Sequence, residues 1–142
     1  MARASLRLTT LASVFVIAGC AVSTPLPDFN VKRPAASVPS EIAAFSGKWT
    51  GTWGGQLPST LVVEEIQGRQ AKLIYSWGSA PAWGVTPGYQ RVNGAFGADN
   101  VLRASLGGPT VSYKMNALGT LDGRWDSPGR NGADGTFVRA EK

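Results

Sequence analysis

From Lys48 to Ala140 the chain is a succession of short runs in which apolar and polar residues alternate, separated by Gly, Pro, Asn and Asp. A period of two is the pattern of strands buried on one face, so an all-β domain is expected. Eight strands follow from it, at 48–54, 60–66, 70–77, 89–96, 100–106, 110–116, 119–126 and 135–140. The third alternates most cleanly, with Ala71, Leu73, Tyr75 and Trp77 on one face and Lys72, Ile74 and Ser76 on the other. Nearly every connection is short and holds a turn residue, so each strand should pair antiparallel with its predecessor.

A second pattern selects the architecture. Gly47, Trp49, Gly51 and Trp53 occupy every second position of the first strand, and Gly-x-aromatic returns at Gly94–Phe96, Gly123–Trp125 and Gly135–Phe137. Glycine leaves room on the inner wall of a curved sheet and an aromatic ring fills it. The expectation is an eight-stranded antiparallel up-and-down β-barrel, with a two-sheet sandwich as the alternative. Ahead of it, Ser40–Phe45 reads as one helical turn with Ile42 and Phe45 on one side, able to cover an end of the barrel.

Gly47-Lys48-Trp49 in the first strand and Arg139 near the end of the last resemble the Gly-x-Trp and terminal Arg of lipocalin-type (calycin) barrels. The resemblance covers residues 45–142 and implies that Arg139 packs over Trp49 at a closed end, both residues being structural. Avidin-like proteins share the short barrel and its glycine–aromatic texture, but their biotin-binding polar residues cannot be placed here, and biotin binding is not inferred.

The amino terminus carries a different signal. Met1–Arg7 is basic, Leu11–Ile17 is apolar, and Ala18-Gly19-Cys20 follows. This is the layout of a secretory signal, too short to span a membrane permanently. Ile17-Ala18-Gly19-Cys20 resembles the lipobox of bacterial lipoproteins, which implies cleavage after residue 19 and lipid attachment (palmitate included) at Cys20. The chain's only Cys falls at the position the lipobox needs. No Asp follows it, which by the same resemblance implies a lipid anchor in the outer membrane, with the domain in the periplasm. An ordinary signal peptide containing a Cys is the alternative. Residues 20–44 hold Pro25, Pro27, Pro34 and Pro39 and read as a flexible tether, of which 20 extended residues would reach roughly 60 Å. The barrel domain is then 45–142.

Charge and composition narrow the chemistry. Removing residues 1–19 takes Arg3 and Arg7, leaving 12 of the 14 basic residues against nine acidic ones and a net charge of +3. The excess is scattered, so nucleic acid is not an expected partner; a weak preference for anionic surfaces is compatible with it. There is no His, and with Cys20 acylated no free thiol. That removes the usual general base, Ser–His arrangements and His- or Cys-based metal sites. Asp99, Asp122, Asp126 and Asp134 lack calcium-loop spacing, and the Gly-rich stretch 129–135 joins strands without opening a helix. No enzyme activity, cofactor or metal is expected. Glu64 and Glu65 should lie on opposite faces of the second strand, and Arg91, Arg103, Arg124 and Arg130 singly toward solvent.

Strand parity locates a candidate binding region. If Trp49 marks the closed end, the connections 54–59, 78–88, 107–109 and 127–134 gather at the open end. Trp53, Trp77, Trp83 and Trp125 collect there with Tyr89, under a flap formed by the longest connection, 78–88. With Tyr75 and Tyr113 from the inner wall, these form the candidate ligand-binding set, suited to a small hydrophobic, aromatic or sugar-like molecule. For Trp53, Trp77 and Trp125 the alternative is plain core packing. A protein-interaction role, as a protease-inhibitor-like or envelope-assembly lipoprotein with a solid barrel, is the competing function; it would use the Pro-rich stretch.

Overall fold

The computed structural model describes residues 24–141. The signal-peptide and Cys20 expectations fall outside the described residues. Eight strands form one closed antiparallel barrel in sequence order: β1 Gly47–Trp53, β2 Leu57–Gln67, β3 Gln70–Trp77, β4 Gly88–Phe96, β5 Leu102–Ser105, β6 Thr110–Met115, β7 Leu121–Asp126 and β8 Ala133–Arg139. β8 closes on β1 through Trp49↔Arg139 and Gly51↔Phe137. The architecture is that expected from the alternation, and it is consistent with a lipocalin-like barrel. The sandwich alternative is excluded by closure.

Strand limits shift from the sequence pattern by up to three residues. β2 starts three residues early, at Leu57, because Pro58 sits opposite Thr52 in the ladder with β1. β5 is only four residues long. It meets β4 through Gly94↔Ala104, Ala95↔Arg103 and Phe96↔Leu102 alone, so Gly88–Asn93 are paired on the β3 side only.

The interior is filled as the glycines foretell. A Cβ on Gly123 would lie 2.8 Å from the Trp53 ring and 2.9 Å from Phe137, and one on Gly51 would meet the Thr136 carbonyl and the Phe137 ring. Trp53, Tyr113 and Phe137 stack in this space, their centroids 4.9–5.9 Å apart. At the closed end the short helix α1 (Ser40–Ala43) buries Ile42, and Phe45 meets Phe96 edge-on at 5.0 Å. The Trp49 indole donates to the Phe45 carbonyl at 2.8 Å. The Arg139 guanidinium lies 4.2 Å from the Trp49 ring centroid while donating to the carbonyls of Ser46 and Ala44. Cation–π attraction and helix anchoring thus act on one side chain.

The Pro-rich segment departs from its expectation. Residues 24–33 belong to no helix or strand, but they are bound to the outer wall and do not form a free tether. Thr24 donates to the Thr60 hydroxyl at 2.7 Å, and Ser76 donates to the Pro25 carbonyl. Arg91 donates to the Asp28 carbonyl, and the Lys32 amide donates to the Glu64 carbonyl at 2.8 Å. The segment runs from the open end of β2–β3 toward the closed end, where Val38 and Ile42 are buried. Between these anchor points lie Val62 and Ile74, which pair with each other on the outward face and are fully buried. This strap explains why an isoleucine occupies an outward position.

A β-bulge between Val63 and Glu65 supplies the strap's lower anchor and corrects the parity of Glu64 and Glu65. The extra residue turns both carboxylates outward. Glu64 pairs with Arg91, and Glu65 with Lys72 at 2.9 Å and Lys32 at 3.2 Å.

Candidate functional site

The odd-to-even connections gather at the end opposite Trp49 and enclose an open pocket of about 560 Å³. Five of the seven aromatic candidates line it: Trp53, Tyr75, Trp77, Trp83 and Trp125. Each is delivered by an inward position or by the flap. Trp53 ends β1 and forms the floor; it is 1% exposed, so its body belongs to the core. Tyr75 and Trp77 are inward on β3, their rings 5.6 Å apart and tilted, and Trp125 is inward and half-buried on β7.

The flap is shaped by its turn chemistry. Pro81–Trp83 make one 3₁₀ turn, closed by Gly84 in the left-handed region (φ 65°) and by a bridge between Ala80 and Val85. This throws the Trp83 ring across the mouth toward the β1–β2 turn, where a Cβ on Gly54 would come within 3.0 Å of it. The flap's return is fixed by Trp77, whose indole donates to the Thr86 carbonyl at 2.8 Å. Trp83 remains 39% exposed.

Two candidates lie elsewhere. Tyr113 is fully buried below Trp53 and is a core residue. Tyr89 takes an outward position on β4 opposite Ser76 and is 48% exposed, so it stands on the outer rim beside the start of the strap. Sequence reasoning missed the aliphatic and polar remainder of the lining, among them Leu57, Gln90 and Leu106, and placed the 127–134 connection at this end without naming Arg130–Ala133 as lining. Gln90 and Leu106 could have been found by carrying strand parity one residue further.

Polar groups are few. The Trp53 indole N–H and the Tyr113 hydroxyl are buried without hydrogen-bond partners among the described residues. Burial pushes the Tyr75 hydroxyl up to about 12, opposed by the neighbouring Trp53 N–H and Ser59, though the Trp53 contact falls short of a hydrogen bond. Burial likewise raises Tyr113 well above an ordinary tyrosine. Both phenols are therefore neutral donors at physiological pH, and no general base is created. Gln90, Arg130 and Asn131 supply the rest. Arg130 has no ion-pair partner among the described residues, whereas Arg91, Arg103 and Arg124 pair on the outer wall with Glu64, Asp99, and Asp126 and Asp134 respectively.

The arrangement can hold a molecule by ring-to-ring and aliphatic contact and orient it through a handful of donors. Among the described residues no group of His, Cys, Asp or Glu is placed to hold a metal ion. Compared with known proteins, the chain matches no family model and no curated protein.

Proposed function

We propose that the chain is a lipocalin-like lipoprotein of the bacterial envelope, anchored in the outer membrane through lipidated Cys20, whose periplasmic barrel binds a small molecule at its open end. The ligand is largely apolar, aromatic or sugar-like. The observation that supports this best is the open pocket of about 560 Å³ walled by five aromatic residues above a solid core. That volume falls in the range of small-molecule sites, and a few donors among apolar walls is their usual composition. The interaction reading drew on a free Pro-rich stretch, and residues 24–33 lie bound along the wall.

The pocket's own tryptophans report occupancy. Titration with lipids, sugars and heme-like compounds should shift the intrinsic fluorescence with one of these classes. Trp83→Ala should weaken that binding by roughly tenfold, the scale of a single aromatic anchor. No shift with any class would overturn the ligand reading. For the anchor, Cys20→Ser should release the protein from membrane fractions, and a variant still bound would defeat lipid attachment.

A further inference from the structure

We infer that the strap turns the open end of the barrel toward the bilayer, so that the pocket opens onto the lipid surface. This rests on the reading of Cys20 as the lipidated residue. Thr24 is fixed to Thr60, three residues from the open end of β2, and Pro25 to Ser76, one residue from the open end of β3. Only three residues separate Cys20 from Thr24. Four peptide steps at 3.3–3.6 Å reach about 14 Å at most. The roughly 60 Å leash that composition alone allows is cut to this length, because the rest of the Pro-rich stretch is spent running down the wall. A barrel held so closely by a point on its open rim presents that rim, with the α1-capped end farthest from the membrane.

The rim has the composition such a position requires. The connections 54–59, 78–88 and 107–109 contain no charged residue. Trp83 and Tyr89 stand exposed on this rim, and Trp and Tyr settle at the level of lipid headgroups because one side of the ring is apolar and the other carries a donor. The fourth connection, 127–134, adds Arg130, unpaired among the described residues and suited to a lipid phosphate, and Asp134, whose carboxylate is paired with Arg124 on the outer wall as Asp126 is. At the other end, Glu41, Arg69 and Asp99 mark the surface, and Leu118 is a single exposed apolar residue at a turn tip.

The test uses the full chain, acylated in a bacterial envelope and reconstituted into phosphatidylethanolamine–phosphatidylglycerol vesicles carrying a headgroup-linked nitroxide quencher. A thiol-reactive fluorophore is placed at the open end in Ser79→Cys or at the closed end in Leu118→Cys, both exposed positions. The probe at 79 should lose most of its emission while the probe at 118 keeps most of its own. Inserting about 20 Gly/Ser residues between Cys20 and Thr24 should bring the two probes together, since a flexible linker of that length removes the constraint. Equal quenching at native length, stronger quenching at 118, or no response to the insertion would overturn the inference while leaving the anchor standing. Protein that does not float with the vesicles would overturn the anchor itself, and the orientation with it.

Discussion

Single residues in this barrel are fixed by the rings that glycines admit. Sequence parity separates Trp49 and Trp53 into a structural plug and a mouth residue, but both are buried to within 1%. Trp53 is floor and core at once. Trp49→Ala and Trp53→Ala should therefore cost similar stability, about 3–5 kcal/mol each, measured by chemical denaturation. A much smaller loss for Trp53 would mean that its ring belongs to the pocket more than to the core. Gly123→Ala should cost about 1–3 kcal/mol, because its Cβ would press on Trp53 and Phe137 inside a filled interior. The Gly-x-aromatic spacing made these contacts legible, since a two-residue period puts glycine and ring on one face. Which ring fills which glycine was not legible: the aromatic two residues along is on the same strand, whereas the ring over Gly123 comes from β1 and β8.

At the scale of elements, strand number, order and direction were written in the alternation, and the strap was not. Pro, Ala, Ser and Val have the same composition whether a segment is free or bound to a wall, and only the outward Val62 and Ile74 hinted at a cover. The Glu64 bulge was invisible for a related reason, since adjacent glutamates carry no sign of which backbone step is doubled. Glu65, held by Lys72, Lys32 and Gln67, has its carboxyl pushed down to about 2. A depressed carboxyl stabilises the fold above the ordinary carboxylate range, and that contribution is lost as pH falls from about 5 through about 2. Glu65→Gln should lower the denaturation midpoint at neutral pH and flatten its acid limb; an unchanged limb would mean that this pairing adds nothing to the strap. Ile74→Ala should cost about 2–5 kcal/mol, far above an ordinary outward position, provided the strap seals it as in the structure.

For the molecule as a whole, the division into solid lower barrel and open upper mouth was foreseen as a possibility and needed coordinates to decide, because side-chain volume is not readable from parity. The wall itself is uneven. β4 and β5 share three residue pairs, all toward the closed end, while β2 and β3 share eight. Those amides of Gly88–Asn93 that point away from β3 have no ladder partner in β5. Native-state hydrogen exchange should find them among the fastest in the sheet, and those of β2–β3 beneath the strap among the slowest. The barrel is thus a cuff whose β4–β5 fastening is short and confined to the closed end. Thermal breathing would begin at its unfastened edge, beside Gln90 and Leu106; under the proposed ligand-binding role, the size of molecule admitted would be set by how far that edge yields as well as by the rim at rest.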